Sequence, residues 1–167
     1  MRQTLLLDSS YYPLQMIDWK KALTLFFTER AEVVEHHQNI EIRSTSKSFK
    51  LPKVMRLFCK IGDIHQVKFS RMNIFYRDNF TCQYCSGKFI AKELTLDHVY
   101  PKSKGGKTDW ENIVAACGRC NNKKSDTLLC DSQFNLIKKP FEPKWLSLFL
   151  KKLGQSEKIL WKDWFNF

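Results

Sequence analysis

The sequence predicts an α+β protein with a strand–strand–helix unit at its centre, and three observations lead to this prediction. Alternating apolar residues indicate short strands. Apolar residues that recur at helical spacing indicate helices towards both ends of the chain. Two Cys-x-x-Cys pairs frame a central segment rich in Cys, Asn, Asp and Lys. We therefore expect an N-terminal α+β region (1–69) packed on a central unit (70–130), followed by a C-terminal helical extension (131–167).

The N-terminal region is predicted to combine strands with one helix. Residues 4–7 indicate a short strand, and Asp18 is expected to cap a helix. The helix presents one apolar stripe, formed by Trp19, Ala22, Leu23, Phe26 and Phe27. Residues 31–35 and 40–43 indicate two further strands, whereas residues 51–61 are compatible with a strand or a helix.

The remaining elements are predicted from capping residues and from apolar spacing. Ser70 is expected to cap a short helix that ends near Asn79 and carries Met72, Phe75 and Tyr76 on one face. Two C-terminal helices are marked by the stripes Leu146, Phe149, Leu150, Leu153 and Leu160, Trp161, Trp164, Phe165. We expect these stripes to pack in a core.

Positive charge is unevenly distributed along the 167 residues, whose formal net charge is +11. Residues 1–49 are balanced, with six basic and six acidic residues. Residues 50–80 carry seven basic and two acidic residues, and residues 138–152 carry five and one. A basic excess on both sides of the centre predicts a polyanionic partner that lies across it.

The apolar segments are too short to direct secretion or to span a membrane. The run at residues 5–7 is followed directly by Asp8, and no other stretch approaches a membrane span in length. We therefore expect a cytoplasmic protein whose six cysteines stay reduced.

The two Cys-x-x-Cys pairs predict one structural zinc ion. Thirty-one residues separate the pairs, and each pair can form a knuckle whose two thiolates reach the same ion. A shell of four thiolates leaves no position open for water, so this zinc would be structural. Two disulfides or buried thiols are the alternatives. The predicted ligands are Cys82, Cys85, Cys117 and Cys120, and we expect the other two cysteines, Cys59 and Cys130, to be ordinary buried residues.

Polar residues that could accept a proton or bind a cation lie between and beyond the cysteine pairs. Residues 94–98 predict a strand that ends in Asp97 and His98, and residues 110–116 predict a turn and a second strand. A helix over residues 117–126 would present Asn121 and Lys124 on one face. A neutral imidazole can accept a proton from water, and carboxylate and amide oxygens are ligands for Mg²⁺.

Asp-His, then an Asn about fourteen residues on, then Asn-x-x-Lys-Ser-Asp resembles the ββα-metal core of HNH endonucleases. The cysteine frame resembles the zinc-supported bacterial and phage branch of that family, over residues 70–126. Residues 5–35 resemble, less specifically, the lead-in of a bacterial subgroup. The resemblance implies that His98 is the general base, that Asp97 and Asn121 bind the catalytic cation, and that Asn112 holds the end of the His98 strand.

One position departs from the family pattern, because the third motif residue is often His and here is Asn121. An amide oxygen favours Mg²⁺ or Mn²⁺ over softer metals, so the departure shifts the expected metal rather than abolishing activity. By resemblance the substrate is DNA, expected to be duplex. A zinc module that binds nucleic acid without cutting it, an RNA-directed nuclease and an adaptor that uses the aromatic C-terminal segment remain alternatives.

Eight basic residues are predicted to contact phosphate, six within residues 102–124 and two in the segment that follows the centre. For Lys124 the interpretation is divided evenly between a phosphate contact and a surface position. The set is Lys102, Lys104, Lys107, Arg119, Lys123, Lys124, Lys138 and Lys139.

Overall fold

The computed structural model describes residues 3–45, 47–59 and 66–165. The chain forms two compact units. The N-terminal unit comprises Met1–Ile64 together with Gln155–Phe167, and the central unit comprises His65–Gly154. Among the described residues, every helix falls short of the length and apolar character that crossing a membrane requires.

A four-stranded mixed sheet forms the N-terminal unit. Its strands are β1 (Gln3–Leu7), β2 (Pro13–Asp18), β3 (Ala31–Arg43) and β4 (Ser48–Leu57). The order across the sheet is β2-β1-β4-β3, in which only the β1–β4 pair is parallel. The leucines of β1 are buried, so the predicted strand at residues 4–7 is confirmed as part of the core.

The two strands predicted at residues 31–35 and 40–43 are one long strand, β3. Its register against β4 shifts between Val33 and Glu41, and Asn39 within it has a φ of 58°. These irregularities interrupt the alternation of apolar and polar residues, which is why the sequence indicated two strands. The segment 51–61, for which the sequence allowed a strand or a helix, is a strand over residues 51–57, which belong to β4. Residues 60 and 61 lie outside the described part. Strand β2 was not predicted.

Helix α1 (Trp19–Phe27) begins where the sequence predicts. The Asp18 carboxylate accepts hydrogen bonds from the backbone N–H groups of Lys20 and Lys21, which satisfies two donors of the first turn. The expectation of a fully packed stripe is wrong at its end, because Phe26 and Phe27 are 43% and 56% exposed. Their rings contact each other at the surface instead of entering the core.

The C-terminal residues contribute helix α5 (Gln155–Leu160) and one 3₁₀ turn to the N-terminal unit. Trp161 is buried, and its indole N–H donates to the Lys53 carbonyl at 3.2 Å. The indole N–H of Trp164 donates to the Glu35 carboxylate at 3.0 Å. Trp161 is therefore a core residue as expected, whereas Leu160 is exposed.

The central unit is built on an antiparallel pair of strands, β5 (Leu94–His98) and β6 (Ile113–Cys117). Helix α3 (Gly118–Lys124) follows β6 without a connecting loop. Both predicted strands and the predicted helix are thereby confirmed, as is the α+β class. His98 lies at the end of β5, and Asn121 lies on α3. The packing of α3 against the two strands therefore determines how close these two side chains are.

Two helices flank the central pair of strands. Helix α2 (Arg71–Arg77) starts after Ser70, whose hydroxyl accepts from the backbone N–H of Asn73 as predicted. Helix α4 (Trp145–Lys152) buries Leu148 in the same core as Ile74 and Phe75 of α2. The predicted apolar face of α2 is wrong at Met72, which is 43% exposed.

A buried ion pair attaches α2 to β6. The Arg77 guanidinium binds the Asp78 carboxylate at 2.7 Å and donates to the carbonyls of Trp110 and Ile113. Asp78 in turn accepts a hydrogen bond from the backbone N–H of Ala115 at 2.8 Å. Each charge of the pair is thus also hydrogen-bonded to backbone, which a buried ion pair requires. The Arg77–Asp78 ion pair thereby connects α2 to β6. The sequence analysis did not identify this ion pair.

Candidate active site and metal centre

The four predicted zinc ligands converge. The sulfur atoms of Cys82, Cys85, Cys117 and Cys120 all lie within 4.8 Å of one another. Tetrahedral zinc with Zn–S bonds of about 2.3 Å separates its sulfur ligands by about 3.8 Å, which this cluster can accommodate. Cys82, Cys117 and Cys120 are buried, whereas Cys85 is exposed. The cysteines are therefore arranged as a metal centre.

The four thiols of the cysteine cluster are not equally easy to ionise. Burial raises the pKa of Cys120, and hydrogen bonds with Cys117 and Cys85 raise it further. Burial opposes ionisation of Cys82 too, yet backbone N–H groups of Cys117, Cys85 and Tyr84 hold its pKa below the usual value. Four thiolates this close repel one another, so full ionisation of the cluster requires a divalent cation between them.

Cys59 and Cys130 lie outside this cluster and are both exposed. The expectation that they are buried is wrong. Cys59 follows the end of β4, and Cys130 lies in a one-turn 3₁₀ helix, Leu129–Asp131. Both positions are in connecting segments at the surface, where no core surrounds the thiol.

Three of the predicted catalytic residues line one open cleft of about 520 Å³. Asp97 and His98 reach it from the end of β5, and Asn121 reaches it from α3. The segment after β5, with Lys102 and Ser103, forms another wall. The strand–strand–helix arrangement thus brings together residues that are separated by more than twenty positions in sequence.

The buried Asp97 carboxylate has two partners on the same oxygen. The Lys124 ammonium lies 3.0 Å from Oδ2, and the Tyr84 hydroxyl donates to Oδ2 as well. Burial, and then this hydrogen bond, raises the pKa of Tyr84, so its hydroxyl stays protonated as a donor. Both contacts of Asp97 are therefore made by Oδ2. Oδ1 is the oxygen with which Asp97 could bind a cation in the cleft.

Lys124 differs from its prediction. Its side chain is buried, and its ammonium donates to the His98 carbonyl at 2.7 Å as well as contacting Asp97. An ammonium held in this way is not presented to solvent, so the structure contradicts both the predicted phosphate contact and the surface position. Lys124 instead joins α3 to the end of β5.

The half-buried His98 ring is oriented by a residue that the sequence analysis missed. Its Nε2 atom lies 2.8 Å from the Thr108 hydroxyl oxygen. A neutral imidazole that donates from one ring nitrogen has its other nitrogen free to accept a proton. Thr108 lies ten positions from His98 in an exposed loop, and no spacing rule would have linked the two residues.

Asn112 closes the loop that follows His98. Its side-chain oxygen accepts from the Tyr100 N–H at 2.8 Å, and its amide nitrogen donates to the carbonyls of Tyr100 and Lys107. Gly106 lies within this loop, where a Cβ atom would stand 1.9 Å from the Tyr100 carbonyl oxygen. Only glycine allows this approach, and the amide of Asn112 then ties the two ends of the loop together.

Asn121 is anchored to β5 through its amide nitrogen, which donates to the Thr95 hydroxyl at 2.9 Å. Thr95 in turn donates to the Ala116 carbonyl, so the contact continues into β6. An amide that donates from its nitrogen presents its oxygen on the opposite side. Asn121 can therefore offer an oxygen to the cleft.

The other predicted phosphate contacts are exposed. Lys102 and Lys104 form a 3₁₀ turn beside the cleft. Lys138 lies over the Phe141 ring at 4.4 Å, and Lys123 lies over the Phe134 ring at 5.9 Å. The exposed set is Lys102, Lys104, Lys107, Arg119, Lys123, Lys138 and Lys139.

Two family models match the chain. Residues 82–127 match the model of the HNH endonuclease family, and residues 4–60 match the HNH endonuclease-associated N-terminal domain. The matched residues 82–127 contain the cysteine cluster and all four predicted catalytic residues. The predicted resemblance to HNH endonucleases is thereby confirmed.

Two curated relatives are CRISPR-associated endonucleases Cas9. The protein of Corynebacterium diphtheriae is 38% identical over 52 residues, which cover 30% of this chain and 5% of the relative. The protein of Actinomyces naeslundii is 28% identical over 102 residues, which cover 60% of this chain and 9% of the relative. The chain thus matches less than a tenth of the length of either relative.

Proposed function

We propose that this chain, which carries an HNH endonuclease domain, hydrolyses phosphodiester bonds of duplex DNA with one divalent cation. The observation that carries the proposal is the convergence of Asp97, His98 and Asn121 on one open cleft inside the matched segment. The basic net charge of +11 suits a polyanionic substrate. The proposed compartment is the cytoplasm, where metal-binding thiols stay reduced.

In the proposed mechanism His98 activates the attacking water. Its Nδ1 accepts the proton, while Thr108 at Nε2 holds the ring in place. The hydrogen bonds of Asn112 across the following loop fix the strand end from which the ring projects. In this mechanism Thr108 and Asn112 exchange no protons with the substrate. They hold the His98 imidazole in the part of the cleft where the scissile phosphate would bind.

The proposed cation ligands are Asp97 through Oδ1 and Asn121 through its amide oxygen. A bound Mg²⁺ or Mn²⁺ would stabilise the charge that develops on the phosphate and on the leaving oxygen. Two protein oxygens leave further positions for water and phosphate, as Mg²⁺ prefers. The four cysteines have no such open position, so we assign them to one structural zinc ion.

The test of this function is cleavage of plasmid, linear duplex, single-stranded DNA and RNA with a panel of metals. Wild-type protein should cleave duplex DNA with Mg²⁺ or Mn²⁺, because both proposed ligands are oxygen atoms. Asn121→His should shift the preference towards Ni²⁺ or Co²⁺, because imidazole suits softer metals. Asp97→Ala should be inactive with every metal.

Other outcomes of this panel would identify the alternatives. Binding of duplex DNA without cleavage by any metal would indicate a silent zinc module. Cleavage of RNA alone would indicate a ribonuclease. Wild-type activity restricted to Ni²⁺ or Zn²⁺ would contradict the proposed ligand pair.

Binding of duplex DNA is expected to depend on phosphates and to have little sequence preference. Affinity should fall by about 0.9 log units per log unit of salt for each phosphate neutralised. Replacing the exposed pair Lys138 and Lys139 by glutamine should lower this slope and weaken all duplexes alike. The measurement is the dissociation constant of two unrelated duplexes across a salt series.

A matched control is available in Lys20 and Lys21, an exposed adjacent pair in the part of the chain with balanced charge. Their replacement should leave the slope unchanged. A shallow wild-type slope, or a preference of about a thousandfold for one duplex, would show an element that reads base sequence.

A further inference from the structure

The first cysteine knuckle contacts the candidate catalytic cleft through one side chain. Tyr84 lies between Cys82 and Cys85, and its ring is half-buried against Phe134, with 5.2 Å between the ring centroids. Its hydroxyl donates a hydrogen bond to Asp97 Oδ2. A residue of the metal centre is therefore bonded directly to a carboxylate of the cleft.

Lys124 approaches the same carboxylate oxygen from another element. Its ammonium lies 3.0 Å from Oδ2, and its side chain is fully buried. Two donors on one oxygen, one from the knuckle and one from α3, fix the rotation of the carboxylate about its Cβ–Cγ bond. Asp97 lines the cleft, and its Oδ1 makes neither of these two contacts, so Oδ1 is the oxygen available to a cation.

We infer that Tyr84 is a positioning residue, which aims Asp97 Oδ1 at the divalent cation. The inference rests on the proposed function, because it assigns a role towards the cation site that we propose there. A metal ligand that is not held by an outer hydrogen bond must be ordered when the ion binds. Tyr84 supplies this order in advance, and the zinc knuckle that holds Tyr84 thereby supports the cation site as well as the fold.

The experiment compares Mn²⁺ binding by wild-type protein and Tyr84→Phe, using the zinc-loaded full chain without DNA. Free Mn²⁺ is measured by electron paramagnetic resonance during a titration. Loss of an outer hydrogen bond typically weakens metal binding by about 10- to 100-fold, and we expect a loss in this range. Zinc content should stay at the wild-type value, because phenylalanine keeps the ring contact with Phe134.

Two further variants define the site and control for the lost hydroxyl. Asp97→Ala identifies the part of the binding that belongs to the cleft. Tyr76→Phe removes a hydroxyl from α2 of the same unit and should bind Mn²⁺ like the wild type. In cleavage assays, high Mn²⁺ concentrations should restore most of the rate of Tyr84→Phe, since the residue acts on cation binding and not on the proton transfer.

The outcomes separate the inference from the function on which it rests. If wild-type protein binds Mn²⁺ no more tightly than Asp97→Ala, the proposed cation site is wrong and the inference falls with it. If wild-type binding depends on Asp97 but Tyr84→Phe binds equally tightly, the function stands and the positioning role is overturned. Loss of zinc from Tyr84→Phe would also overturn it, because Tyr84 would then act on the knuckle itself.

Discussion

Replacement of His98 by alanine is expected to lower the rate of DNA cleavage by about 10²–10⁴-fold, the usual contribution of a positioned general base. Folding and duplex binding should change little. His98 is half-buried, and among the described residues its ring is hydrogen-bonded only to Thr108. The contact that matters to the fold is made by the His98 backbone carbonyl, which accepts from Lys124, and alanine retains that carbonyl.

The measurement is the single-turnover rate at saturating protein and Mg²⁺, together with the dissociation constant for the same duplex. His36→Ala is a matched control, because His36 is an exposed histidine of the N-terminal unit. Thr108→Val should have a smaller effect, about tenfold, since it frees the ring without removing it. Cleavage by His98→Ala at the wild-type rate would show that another group takes the proton from water.

The residues proposed to be catalytic could be predicted because their motif is local and resembles that of HNH endonucleases. Asp97 and His98 are adjacent at the end of a strand, and the cysteine pairs have the fixed spacing that a knuckle imposes. Chain geometry then leaves few ways to combine two strands and a helix. Asp97, His98 and Asn121, which the resemblance selected, therefore line one cleft in the structure.

The residues that support the cleft could not be predicted in this way. Tyr84 and Thr108 act through side chains that reach residues ten or more positions away. Lysine is usually a surface residue, and the sequence gives no sign that Lys124 is buried. The folded structure shows that its ammonium contacts the Asp97 carboxylate and the His98 carbonyl. Such roles depend on tertiary contacts, for which sequence spacing carries no signal.

The N-terminal unit shows the same division between local and distant information. Helix α1 was predicted because its capping residue, Asp18, and its first turn are neighbours in sequence. The parallel pairing of β1 with β4 was not predicted, because the residues that pair, such as Leu5 and Val54, are 49 positions apart in sequence. The single strand β3 was divided in two, since its irregular register breaks the pattern on which strand prediction relies.

Removal of zinc is expected to unfold the central unit. With zinc bound, the cysteines would link the segment after α2 to the end of β6 and the start of α3. Three of them, Cys82, Cys117 and Cys120, form a small buried cluster with Ala116. Apparent binding free energies of structural zinc are about 10–16 kcal/mol near neutral pH. The whole stability of a typical domain is about 5–15 kcal/mol, so loss of the ion can outweigh all other contributions.

The measurement combines zinc analysis of purified protein with near-ultraviolet circular dichroism and thermal melting, before and after chelation. Cys82→Ser should lose zinc and the near-ultraviolet signal of the central unit, because it removes a buried ligand. Cys130→Ser is the matched control, since that thiol is exposed and outside the cluster; it should keep one zinc per chain and the wild-type melting curve. A zinc-free wild-type protein that melts normally, or a native disulfide between Cys82 and Cys85, would contradict the metal centre. The N-terminal unit has its own sheet and its own buried core, so its part of the signal should survive chelation.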